Sequence, residues 1–159
     1  MKIESILAPN HAYCGIGAAS KKRAIDEIAI KLADSIDGVE AEDLFSKLIN
    51  REKIGTTAIG HGIAIPDCRL DGIDRIIGGV FTLEQTIDFQ AFDDQPVNVL
   101  FVLLVPTEEV DEHLQVLAML ASRFESADYR KSLINAKQNS ELYQLAITEP
   151  KPGAKQALQ

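Results

Sequence analysis

Between Pro96 and Pro106 the chain reads VNVLFVLLV, residues 97–105. The run is almost unbroken in apolar residues and rich in β-branched and aromatic ones, without the polar alternation of a strand that has one wet face. A strand of this kind needs cover on both sides, which is the situation of the central strand in a helix-flanked sheet. Upstream, Ile76 to Leu83 predicts a second strand. Downstream, Val110, Leu114, Leu117, Ala121 and Phe124 recur at helical spacing, and shorter helices are expected at 129–136 and 139–147.

Nearer the N-terminus, Ser20 stands before Ile25, Ile28, Ala29, Leu32 and Ile36, the stripe of an amphipathic helix, and Gly38 is a natural stop. Its first turn carries Lys21, Lys22 and Arg23, positive charge at the positive end of the helix dipole. Either something other than helix stability places them there, or they form a solvated cationic start. A second helix is predicted from Glu40 to Arg51, with Glu42 and Asp43 early, Arg51 and Lys53 late, and Gly55 closing it. From Thr56 to Asp67, Gly60, Gly62 and Pro66 break any helix and predict short strand and loop. Helices and strands are interleaved, so the expected fold is a layered α/β domain.

The 159 residues suffice to bury a core without disulfides or a structural metal. A formal charge of -8 repels nucleic acid phosphates and anionic lipid and favours a partner with a basic face. No apolar run approaches the roughly 20 residues needed to cross a bilayer, and the N-terminus lacks a secretory pattern, so the expected location is the cytoplasm. Cys14 and Cys68 form no metal-like cluster and read as free thiols. No cofactor motif occurs: neither a P-loop nor a dinucleotide fingerprint is present.

The densest chemical signal is GHGIAIPDCR, residues 60–69. Pro66 fixes its own φ and extends Ile65, so Asp67 is presented in a defined direction at a strand end. His61 and Arg69 flank it, and Arg51 stands at the end of the preceding helix, a candidate anion site. On residue pattern alone a structural loop is the favoured explanation of the segment, since glycine, proline and one histidine describe many structural turns. Among the histidines, His11 reads as an exposed loop residue and His113 as core-facing, because it shares a helical face with Val110, Leu117 and Leu120. His61, between glycines, is harder to explain by packing and is the better functional candidate.

The stretch REKIGTTAIGHGIAIPDCRL, residues 51–70, resembles the active-site signature of phosphotransferase-system enzyme IIA domains of the fructose/mannitol class, especially the nitrogen-regulatory type. SKKRAIDEIA, DFQAFDDQPVNVLFVLLVP, EHLQVLAMLASRF and ELYQLA match in order, so the resemblance runs from about Ile3 to Thr148. It implies one domain over residues 1–149 with a mixed β-sheet flanked by helices on both faces, while PKPGAKQALQ, residues 150–159, has little to bury and reads as a C-terminal tail. Such domains accept phosphate on a histidine from a small HPr-like phosphocarrier. The sugar-specific members pass it to a IIB component, while the regulatory members use it to control cytoplasmic or membrane-bound target proteins.

The resemblance places the acceptor histidine at the position of Asp67, matches Arg51 to an arginine near the phosphate and His113 to a second active-site histidine, and gives His61 a supporting role. An aspartate lacks the nucleophilic imidazole nitrogen of the usual chemistry. The expectation is therefore a phosphomimetic or transfer-deficient form of a nitrogen-regulatory IIA component. A sugar-transport IIA and a non-catalytic regulatory binding module remain the alternatives.

Overall fold

The computed structural model describes residues 1–150. The run that opened the sequence is strand β6, Val97–Pro106, at the centre of a six-stranded mixed sheet. On one side it pairs antiparallel with β5, Ile77–Ile87, and β5 pairs in parallel with the edge strand β1, Leu7–Ile16. On the other side two short strands share its edge in parallel, β3 at Ile63–Ala64 and β4 at Asp67–Leu70. β2, Ala58–Gly60, pairs antiparallel with β3.

Both faces of β6 are covered, as its composition requires. Val99, Phe101, Leu103 and Val105 face one core, and Leu100, Val102 and Leu104 face the other. Helices α1, Lys21–Ser35, and α2, Ala41–Ile54, close the second core. Helices α3, Asp111–Phe124, α4, Ala127–Asn135, and α5, Asn139–Ile147, close the first. Two glycines of β5 make the packing possible: a Cβ at Gly78 would meet the Phe101 ring at 2.9 Å, and one at Gly79 would meet Leu32 at 3.1 Å. Phe101 is fully buried, so truncating it to alanine removes about 3–5 kcal/mol of transfer and packing energy.

Helix α1 starts as expected, with Ser20 Oγ accepting the Arg23 N–H at 3.2 Å and Ala24, Ile25, Ile28, Ala29 and Leu32 buried. Helix α2 runs three residues beyond the expected Arg51, to Ile54, and Gly55 ends it. The tail expected at 150–159 lies, apart from Pro150, outside the described residues.

Two expectations are corrected. His11 is not in an exposed loop: it lies in β1 and is 6% exposed, its ring Nε2 2.9 Å from Ser35 Oγ at the end of α1. Pro9 and Gly15 disguised this strand, but β1 is an edge strand with register irregularities on both sides of Ala12 and Tyr13, where such residues are tolerated. In α3 the spacing was right and the phase only in part: Leu117 and Phe124 pack on the core. Val110 and Leu114 are exposed, while Val116, Leu120, Arg123 and Phe124 are buried. Arg123 belongs to the inner face because it lies over the Tyr129 ring and donates to the carbonyls of Ala146 and Thr148.

Candidate functional site

The segment leading to Asp67 is held by backbone geometry. Gly60, His61 and Gly62 take φ of 94°, 59° and 80°, three left-handed residues in succession between β2 and β3. Glycine adopts this region freely and histidine does so at a cost, which the surroundings must offset. They do: the His61 N–H donates to Asp93 Oδ2 at 2.9 Å, and the Gly62 carbonyl accepts from Asn98 N at 3.0 Å and Val99 N at 3.2 Å. A Cβ at Gly60 would meet Phe92 and Asp93 at 3.2 Å, so the 88–95 loop packs directly on this turn. Further on, Ile65 N donates to Thr57 O at 3.0 Å and Leu103 N to Pro66 O at 2.9 Å, which sets Asp67 beside Leu103.

Two helix ends meet the half-buried Asp67. From the last turn of α2, Arg51 Nε reaches Asp67 Oδ1 at 3.2 Å, and its Nη1 donates to the Gly55 carbonyl at 2.9 Å, which orients the guanidinium. From the first turn of α3 comes His113, whose Nε2 is buried and lacks a hydrogen-bond partner. Arg69 braces that helix start: its guanidinium donates to the carbonyls of Pro106, Thr107 and Glu109. Glu109 Oε2 in turn accepts from the N–H groups of Val110 and Glu112.

The charges act on one another. Burial pushes the Asp67 carboxyl above its ordinary range, while Arg51 and His113 pull it back. Burial lowers the His113 pKa, Asp67 opposes that shift, and Arg69 and Arg51 add to it. An imidazole kept neutral beside a carboxylate and a guanidinium is a hydrogen-bond donor or acceptor available to a ligand atom. The adjacent Cys68 thiol is pushed up to about 12 by burial, with Asp67 adding to it, so it is inert as a nucleophile at neutral pH.

Of the four residues singled out by sequence, Asp67, Arg51 and His113 converge. His61 lies in the same turn with an exposed side chain, and it is its backbone N–H that donates to Asp93. A fifth residue escaped sequence reasoning. Glu52, beside Arg51, is 7% exposed; it accepts from Thr57 N at 2.9 Å and Thr57 Oγ1 at 2.6 Å, and pairs with Lys21 Nζ at 2.8 Å. The signal pointing to it was Lys21, set against the dipole of α1. Among the described residues no group of His, Cys, Asp and Glu side chains is arranged to hold a metal ion, and no helix is long and apolar enough to cross a membrane.

A mixed sheet between two helical layers, with helix ends from both layers converging on a strand-end carboxyl, defines a class of α/β domain that displays one charged residue between helices. Comparison narrows the class: residues 5–148 match the phosphoenolpyruvate-dependent sugar phosphotransferase system EIIA 2 family, and the chain belongs to it. It is 40% identical over 147 residues to a nitrogen regulatory protein of Pseudomonas aeruginosa, covering 92% of this chain and 96% of that one. The crystal structure of the nitrogen regulatory protein IIA-Ntr from Neisseria meningitidis superimposes with a TM-score of 0.83 at 33% identity, covering 91% of this chain and 98% of that one. A mannitol IIA from Escherichia coli, solved in complex with phosphorylated enzyme IIB, shares the fold with a TM-score of 0.67 at 21% identity, covering 87% of this chain and 94% of its own. The chain is thus a homologue of the nitrogen regulatory IIA proteins, with the mixed α/β fold expected from its sequence.

Proposed function

We propose that this chain is a nitrogen-regulatory type IIA component in which Asp67 occupies the phosphate-accepting position, so that it regulates partner proteins through a fixed charge and does not pass phosphate on. The observation that carries this reading is the Arg51–Asp67 ion pair at 3.2 Å, with the unpartnered Nε2 of His113 on the other helix end. A guanidinium and a neutral imidazole suit an anionic group at residue 67, and a carboxylate supplies about one unit of the nearly two that a phosphoryl group brings. It has two acceptor oxygens to a phosphoryl group's three and reaches less far. The resulting charge resembles the phosphorylated state in sign and position but not in magnitude.

Transfer itself needs a nucleophile near pH 7 and a bond reactive enough to give the phosphoryl group up again. Imidazole meets both needs. The carboxylate of Asp67 is held by Arg51, and among the described residues no acidic cluster of the kind that assists acyl phosphate formation is arranged around it. Partners on this reading are an HPr-like phosphocarrier, which docks without productive transfer, and the regulated target proteins. Exposed apolar side chains flank the cluster on the elements that build it: Ile54 after Arg51, Phe92 over Gly60, and Val110 and Leu114 around His113. Such side chains suit a protein partner.

The test is incubation with a phosphorylated HPr-type donor. The chain as written takes up no phosphate, and Asp67→His takes up close to one acid-labile phosphate per chain, read by intact-mass spectrometry. Phosphate on a histidine of the unsubstituted chain overturns the reading.

A further inference from the structure

The Lys21–Glu52 pair touches three of the segments that build the residue-67 site, α2, the 56–67 segment and the 88–95 loop, yet neither side chain makes an ion pair or hydrogen bond with residue 67. Glu52 is nearly buried, and its two oxygens hold Thr57 by backbone and side chain. Thr57 in turn accepts through its carbonyl from Ile65 N, two residues before Asp67. On the helix side, Glu52 directly follows Arg51, whose guanidinium holds Asp67. Lys21 extends the network to a third segment. Its ammonium donates to Gln90 Oε1 at 2.7 Å and Phe89 O at 3.4 Å and lies 4.8 Å from the centre of the Phe89 ring. Thr56 Oγ1 donates to the same Phe89 carbonyl.

The third segment is the loop that carries Phe92 and Asp93. Asp93 ties back to His61 N, and Gln90 and Asp94 take φ of 53° and 58°, left-handed conformations that non-glycine residues hold only when surroundings impose them. A buried carboxylate with three donors is costly to assemble, and a bare pair buried for stability alone is a poor bargain against apolar packing. Its yield here is registration: α2, the 56–67 segment and the 88–95 loop are fixed to a single carboxylate.

We infer that Glu52 and Lys21 are positioning residues of this site, which set where Arg51 and residue 67 stand relative to each other and to the Phe92 loop. The inference rests on the reading of residue 67 as the phosphoryl position. It also gives the lysine at the start of α1 its purpose. The helix tolerates a cation at the wrong end of its dipole because the ammonium is directed to Glu52, the Phe89 carbonyl and the Gln90 side-chain oxygen, not to the helix.

Single-turnover phosphorylation of the Asp67→His protein by a phosphorylated HPr-type donor tests it, with Glu52→Gln and Lys21→Met added singly and together. Displacement of the site lowers the rate constant by about tenfold in each single variant, with donor KM and final stoichiometry unchanged. The double variant falls no further, and Lys21→Arg stays within about twofold of the parent. A purely structural pair instead lowers the phosphorylated fraction and leaves the rate constant of the folded molecules intact, and that outcome overturns the inference. If Asp67→His accepts no phosphate, the phosphoryl reading fails, and the chain as written then decides the positioning role. In Glu52→Gln the Arg51 Nε–H resonance loses its separate, slowly exchanging signal if the inference holds, and an unchanged signal rejects it.

Discussion

Two histidines stand at the two edges of the same sheet, and they have little in common beyond burial. His11, on β1, and His113, at the start of α3 beside β4, each have a ring nitrogen shielded from solvent without a hydrogen bond of good geometry, and burial lowers the pKa of both. Around His11 the partners are neutral: the Ser35 hydroxyl at 2.9 Å and, facing the ring, the Gly78 carbonyl. His113 lies among Asp67, Arg69, Arg51 and Glu109. A dry imidazole is thus compatible with ordinary core packing at one edge and with a charged cluster at the other. What separates a structural histidine from a candidate functional one is the charge brought to it by other elements, not its own desolvation.

The sharpest way to break this contrast is kinetic. In the Asp67→His background, His113→Ala lowers the rate of phosphoryl acceptance by roughly 100-fold, within the range of a lost acid–base or hydrogen-bonding group, while His11→Ala leaves it within about twofold. Single-turnover labelling decides it, and equal losses at the two positions would erase the distinction. Stability should show the reverse order. His11→Ala costs about 2 kcal/mol through lost packing beneath α1, and His113→Ala costs less than about 1 kcal/mol, both measured by urea unfolding.

A smaller effect appears in the pH dependence. Both histidines have folded pKa values lowered below the unfolded value near 6.5, so the unfolded chain binds more protons in that window. Stability is therefore lost as pH falls from about 6.5 toward the folded values, at no more than about 1.4 kcal/mol per pH unit for each histidine. His11→Leu removes the contribution that has no charged partner, and the slope of unfolding free energy against pH flattens. Smallest of all is Asp67→Asn. The carboxyl's folded pKa is raised, so its ionisation costs stability as pH climbs from the unfolded value near 3.9 through the folded one. The amide removes that cost, and the variant gains less than about 1 kcal/mol at neutral pH in the same urea assay.

Periodic segments were legible from sequence, and so were local constellations. The almost unbroken apolar run of β6, the stripe and serine cap of α1, and the Gly55 stop of α2 each announce one structure, because short-range pattern and tertiary environment agree there. β1 was not legible. Its Pro9 and Gly15 speak against a strand, and only an irregular edge position, a property of the whole sheet, reconciles them. The inner face of α3 was misassigned because a buried arginine reads as solvent-facing until the carbonyls of α5 are seen above it. Within the site, Arg51, His61 and Asp67 lie close in sequence and stood out together. His113 was drawn in by resemblance, since its spacing pointed to the core. Glu52, set between Arg51 and Lys53, was not singled out, and nothing local to it signals a lysine 31 positions earlier.

The Arg51–Asp67 pair has a last consequence for regulation. In a protein that gains and loses phosphate, the bound fraction averages over the recent supply of donor, and the signal is an occupancy. A carboxylate written into the chain is present in every copy at every moment and keeps no history. On the proposed reading the only variable left is dosage: this chain would compete for shared targets in proportion to its abundance against phosphorylatable relatives, setting a floor that the metabolic input cannot lower.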